Sequence, residues 1–169
     1  MARPVSTDYP VFYETYIKLV SEEDLVQAMR SSLDEIVDFL EGISAELADH
    51  RYAEGKWSVK ELLQHIIDTE RIFSYRGLCI ARGEQQSLPG FNENAYALNA
   101  NVSGRSLKEL KDELLAVRET TFMMFRGFTL EMLGLVGTSN NKQVTVNAIG
   151  YMIIGHVRHH FNILKERYL

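Results

Sequence analysis

The fold of this chain is decided by the stretch SVKELLQHIIDTERIFSYRGLCIAR, residues 58–82. Ser58 and Glu61 have the spacing of a capping box, in which each side chain bonds the backbone N–H of the other residue. Apolar residues then recur at helical spacing, and Gly83 follows as a typical stop signal. The stretch therefore predicts a long helix that carries His65 near its middle.

Three other segments show the same kind of pattern. Residues 21–47 begin with Ser21 and three acidic residues, which favour a helix N-terminus. Residues 106–128 begin with a second capping box, and a last apolar pattern runs from about Thr145 to near the C-terminus. Four helices of roughly 20–25 residues would each be about 30–37 Å long. We therefore predict an all-α fold, a four-helix bundle formed by one domain over residues 1–169.

The connection between the second and third predicted helices, residues 83–105, is long for a bundle. Loops of this length are usually functional or are ordered by their own packing. Phe91, Tyr96 and Leu98 argue against disorder, so we expect an ordered crossover that lies over one end of the bundle.

Charge and composition exclude several function classes. The formal net charge is −5, and the absence of a basic stripe argues against nucleic-acid binding. Apolar runs are too short to span a membrane, and the first residues lack the apolar core of a secretory signal. The single cysteine excludes an internal disulfide, so we expect a cytoplasmic protein.

The histidines are the candidates for chemistry. His156 and His160 are four residues apart in a predicted helix, which places both side chains on one face within reach of one metal ion. His65 from another helix would complete a three-histidine site with an open coordination position, as in catalytic rather than structural zinc sites. The alternative is that these histidines are core side chains with no ligand, because spacing alone does not show that the helices are neighbours.

Other polar residues near His65 allow two interpretations each. Glu61, Asp68 and Glu70 could orient a ligand histidine through its free ring nitrogen, or they could pair with arginines on the helix surface. His159 could support the site or be an exposed neighbour. Arg76 could bind an anionic substrate or be a structural ion-pair partner.

Three segments together resemble the DinB/YfiT-like superfamily of metal-dependent enzymes. They are residues 56–71 (KWSVKELLQHIIDTER), residues 88–93 (LPGFNE) and residues 155–160 (GHVRHH). The resemblance covers nearly the whole chain, and the combination and order of the segments make it specific.

This resemblance implies an up-down-down-up bundle with a long crossover between helices 2 and 3. It also implies a divalent metal, nickel or zinc, with His65, His156 and His160 as ligands. Members of the superfamily often form homodimers, and some are transferases or isomerases that use a small thiol such as bacillithiol. The resemblance supports the metal better than it supports any substrate.

We therefore predict a metal-dependent enzyme that activates water or a small thiol for hydrolysis or thiol transfer. Its substrate would be a small molecule, with Arg76, Phe91 and Tyr96 as candidate contacts. The alternative is a non-catalytic helical dimerisation or binding module whose metal site is vestigial or structural.

Overall fold

The computed structural model describes residues 2–169, and Met1 lies outside them. Its helices surround a core, and a small antiparallel hairpin precedes the last helix. The helices are α1 (Glu14–Ile17), α2 (Leu25–Glu41), α3 (Val59–Ala81), α4 (Glu93–Asn99), α5 (Leu107–Arg126), α6 (Leu130–Gly134) and α7 (Val146–Arg167). The strands are β1 (Val136–Ser139) and β2 (Lys142–Thr145).

The four long helices α2, α3, α5 and α7 form the predicted bundle. α3 packs against α5 and α7, and α2 packs against the same two helices from the opposite corner. α3 and α5 run in the same direction, because Gln64 contacts Arg105 at their beginnings and Ser74 contacts Thr121 further along. The parallel middle pair of the predicted up-down-down-up order is thereby confirmed, and the segment between α3 and α5 has to cross the length of the bundle.

Local capping explains where the helices begin. The Ser58 hydroxyl accepts the Glu61 backbone N–H at 3.2 Å, and the Glu61 carboxylate accepts the Ser58 N–H at 2.6 Å. The same capping box opens α5 at Ser106 and Glu109. Both predicted boxes are confirmed, which places the N-termini of α3 and α5 within one residue of the expected positions.

The bounds predicted for the first long helix, residues 21–47, are wrong at both ends. Its N-cap is Asp24 rather than Ser21, because the Asp24 carboxylate accepts the backbone N–H of Gln27 at 3.0 Å. The helix stops at Glu41, and residues 45–47 form a separate 3₁₀ turn.

The crossover is ordered, as expected, but neither the short helix α4 within it nor the hairpin that anchors it was predicted. The Leu88 N–H donates to the Thr138 carbonyl at 2.9 Å, and the Asn140 N–H donates to the Leu88 carbonyl at 2.8 Å. Asn140 and Asn141 have positive φ angles of 49° and 60°, which a type I′ hairpin turn requires. The Asn-Asn pair was thus the sequence signal for this hairpin.

Two apolar clusters fill the bundle, one on each side of a polar layer. One cluster includes Phe73 and Ile153, and the other includes Ile66 and Phe161. The buried polar side chains between them come from all four long helices: Ser32, His65, Thr69, Glu70, Arg118, His156 and His160. None of the helices within residues 2–169 is long and apolar enough to cross a membrane.

Candidate metal centre

Two neighbouring helices bring the three predicted histidines together. The Nε2 atom of His65 on α3 lies 3.1 Å from that of His156 and 3.2 Å from that of His160, both on α7. The two α7 nitrogens lie 3.0 Å apart. All three side chains are buried.

Hydrogen bonding among the three rings cannot satisfy this triangle. A ring nitrogen that carries a proton donates but does not accept, so three Nε2 atoms cannot all be paired with one another. A cation shared by three unprotonated nitrogens satisfies all of them, and Zn–N bonds of about 2.0–2.1 Å suit ligand nitrogens about this far apart. The donor set therefore fits a single divalent ion.

Electrostatics keep the three rings neutral. Burial, followed by the nearby His159, lowers the pKa of His65 to about 4. Burial, followed by the neighbouring histidines, holds the pKa values of His156 and His160 well below the ordinary value. Neutral imidazoles are the form that binds metals, so protons do not compete for this site near neutral pH.

Aromatic side chains pack around the triad. The Trp57 ring centroid lies 4.8 Å from that of His65, and the Tyr16 centroid lies 5.2 Å from that of His156. Phe73 contacts His156 from another side, with centroids 6.1 Å apart. This packing limits rotation of the rings and holds their Nε2 atoms toward one point.

A cavity of about 450 Å³ opens against the triad. His65 and His156 line it, whereas His160 does not. Thr69 and Arg76 on α3 form another part of its wall. The remaining wall comes from the segment around α1 (Phe12, Tyr13 and Tyr16), from the crossover (residues 90–94) and from Asn140 in the hairpin turn.

The predicted substrate contacts do not all reach this cavity. Arg76 and Phe91 line it, and Arg76 is only 4% exposed. Tyr96 is half exposed and lines an adjacent cavity of about 270 Å³, on the other side of Arg76 and Phe91. The Phe91 and Tyr96 rings are in edge contact, with centroids 5.1 Å apart.

The carboxylates that were considered as supports for a histidine have other partners. Glu61 pairs with Arg51, and Asp68 accepts a hydrogen bond from Gln64 at 2.8 Å. Glu70 forms a buried ion pair with Arg118 at 2.8 Å. The second interpretation, pairing with an arginine, is therefore correct for Glu61 and Glu70, although the Glu70 pair is in the core and not on the surface. Asp68 follows neither interpretation, because its hydrogen-bond partner is an amide side chain of its own helix. His159 is half-buried beside Tyr16.

Sequence reasoning missed the contribution of the N-terminal segment. Tyr13 and Tyr16 reach the cavity because α1 packs directly on α7. A Cβ atom on Gly155 would overlap the Tyr16 backbone, so glycine at this position permits the close approach. The signal in the sequence was a glycine directly before His156, in the interior of a predicted helix.

The family model for the DinB superfamily matches residues 28–164 of the chain. The chain belongs to the DinB superfamily. No curated protein is significantly similar in sequence. Two solved structures from Bacillus subtilis share the fold.

YfiT, described as a probable metal-dependent hydrolase with an unusual four-helix bundle topology, is 16% identical. Its TM-score is 0.69 over 96% of this chain and 89% of YfiT. The DinB-like protein YjoA is 22% identical, with a TM-score of 0.58 over 83% of this chain and 86% of YjoA. At 16% and 22% identity, the similarity to these two structures shows a shared fold and no more.

Proposed function

We propose that this DinB superfamily member is an enzyme that depends on a divalent metal held by His65, His156 and His160. The observation that carries the proposal is the triangle of buried, neutral Nε2 atoms at the wall of a cavity. When bound there, a divalent ion lowers the pKa of a water or a small thiol such as bacillithiol and makes it a nucleophile near neutral pH. The description of YfiT as a probable metal-dependent hydrolase supports the same proposal.

The residues around the triad have distinct roles in this proposal. Aromatic packing by Trp57 and Tyr16 orients the imidazoles, and burial keeps them unprotonated. Arg76 and Phe91 contact a small-molecule substrate in the cavity. Tyr96 supports Phe91 and contacts only a substrate that extends into the adjacent cavity.

The cavity also favours an enzyme over a non-catalytic binding module. A purely structural metal site is usually closed by four protein ligands. Here three histidines converge, and two of them line an open cavity together with Thr69, Arg76 and the crossover. This arrangement leaves room for a substrate beside the metal, which a structural or vestigial site does not need.

Three imidazoles suit several divalent metals, so nickel or zinc is proposed from the superfamily resemblance. A cytoplasmic location is proposed because the chain has a single cysteine, and a homodimer is proposed from the resemblance.

Metal content tests the proposal. Elemental mass spectrometry on tag-free wild-type protein should find about one divalent ion per chain. The His160→Ala variant should lose it while remaining helical. An exposed histidine, His50, provides the matched control, because His50→Ala should retain the metal. A wild type that binds neither zinc nor nickel after incubation would contradict the proposal.

Activity then separates the two reactions. Metal-loaded protein should either hydrolyse activated esters or amides, or transfer a small thiol to an electrophile. The activity should disappear with the metal in His160→Ala. Full metal occupancy without either activity would favour the binding-module alternative.

A further inference from the structure

Arg76 differs from the other buried arginine of the described chain. Arg118 is fully buried and pairs with Glu70 at 2.8 Å. Arg76 is 4% exposed, yet no carboxylate pairs with it anywhere in residues 2–169. A buried cation without a counter-charge is costly, so the position calls for an anion that the chain itself does not supply.

The contacts of the Arg76 guanidinium are neutral. One of its nitrogens donates to the Pro89 carbonyl oxygen at 2.6 Å. The group lies 5.7 Å from the Phe73 ring centroid and 5.9 Å from that of Phe91. Tyr13 also faces it, and burial raises the pKa of that phenol, so Tyr13 is uncharged. These contacts hold the guanidinium in place without neutralising it.

The remaining charge at the cavity does not neutralise Arg76 either. Glu93 is the one carboxylate among the described residues that line the cavity, and its side chain is exposed at the start of α4. With a divalent ion at the histidines, the inner part of the cavity would carry two cationic centres. Such a site attracts anions and disfavours cations.

Thr69 provides an independent sign of a missing polar partner. It lies one helical turn after His65, lines the same cavity and is 2% exposed. Its hydroxyl has no hydrogen-bond partner within the part of the chain that the structure describes. The hydroxyls of Thr120 and Thr121, by contrast, donate to the Val117 carbonyl of their own helix.

We propose that the cavity selects a small organic carboxylate, whose charged group pairs with Arg76. The planar guanidinium matches a carboxylate in shape and charge, and a single cation matches a monoanion. The Thr69 hydroxyl hydrogen-bonds a polar atom of the same molecule. This inference names the substrate class of the proposed enzyme. The reaction of that substrate rests on the proposed function, whereas the binding of the anion does not.

Benzoate and benzamide test the charge requirement, since the two probes have nearly the same shape. Their affinities are measured by calorimetry on wild-type protein, both stripped of metal and loaded with zinc. Benzoate should bind about tenfold more tightly than benzamide in both forms, as expected for a charge-assisted pair. Equal affinities in the wild type would overturn the proposal.

Variants then assign the preference to Arg76. Arg76→Met should abolish the preference for benzoate over benzamide, and Arg76→Lys should retain part of that preference. The exposed Arg82 on the same segment serves as the control, because Arg82→Met should keep the full preference. A preference that survives Arg76→Met in folded, metal-stripped protein would also overturn the proposal. The zinc content of the same samples reports separately on the proposed function.

Discussion

The Nε2 atoms of His65 and His156 lie 3.1 Å apart, although 91 positions separate the two residues in the sequence. They meet because α3 and α7 pack along each other, with an apolar cluster on either side of the histidines. The geometry of the candidate centre is therefore supported by the core of the bundle and not by a flexible loop. A metal ligand set held in this way is preorganised.

Removal of the metal should lower stability but leave the fold. The two apolar clusters hold the four long helices without any contribution from the triad. Chelation should therefore lower the unfolding temperature of metal-loaded protein while its far-UV circular dichroism at 25 °C stays unchanged. His65→Ala should show no response to chelation. Loss of helical signal on chelation would instead indicate a structural metal.

The metal-free protein should lose stability as the pH falls. The pKa of His65 is lowered from 6.5 to about 4 in the folded chain, so below pH 6.5 the unfolded chain binds a proton that the folded chain does not. The free energy of unfolding is then highest above pH 6.5 and decreases until the pH reaches the pKa that His65 has in the folded chain. At about pH 5 the titration of His65 alone lowers the free energy of unfolding by about 2 kcal/mol.

Urea denaturation of chelator-treated protein at about pH 7.5 and about pH 5 measures this dependence. The His65→Gln variant should lose less stability between the two conditions than the wild type, because one titrating group is absent. Equal losses in the two proteins would show that His65 titrates normally in the folded state.

The buried Arg118–Glu70 pair should be costly to break from one side. Arg118 also donates to the Ser32 hydroxyl at 2.9 Å, so it links α5 to α2 and α3. Arg118→Met should destabilise the protein by about 3–5 kcal/mol, because Glu70 is left buried without its partner. The double variant Arg118→Met/Glu70→Leu should recover much of that loss.

Arg51→Ala is the control for this prediction, since the Arg51–Glu61 pair is partly exposed and should contribute at most about 1 kcal/mol. Denaturant titration of all three variants measures the differences. If Arg118→Met were no less stable than Arg51→Ala, the buried pair would contribute little to the stability of the protein.

Gly155→Ala should disturb the cavity by moving α1. The added methyl group would overlap the Tyr16 backbone, and overpacking of this kind typically costs about 1–3 kcal/mol. Gly104→Ala is the control, because a methyl group there meets open space. Metal binding should survive in Gly155→Ala, whereas benzoate affinity should fall. Unchanged stability and affinity would show that α1 adjusts without cost.

Local signals explain which parts of the fold could be predicted. The capping boxes at Ser58 and Ser106 placed two helix starts within one residue, because a cap is an interaction between residues three positions apart. The start of α2 was misplaced because Ser21 and Asp24 are both good capping residues and only the backbone conformation chooses between them. The hairpin was missed although its Asn-Asn turn was visible in the sequence.

The sequence by itself determined the long helices and the pairing of His156 with His160, since both follow from the periodicity of one helix. The sequence also offered His65, in a second predicted helix, as a third ligand, and the family resemblance assigned it to that role. Only the tertiary structure decided that the three nitrogens converge, that Tyr13 and Tyr16 reach the same cavity, and that Arg76 has no carboxylate partner in the described chain. Such contacts join segments that are far apart in the sequence, and they depend on how whole helices pack rather than on any local pattern.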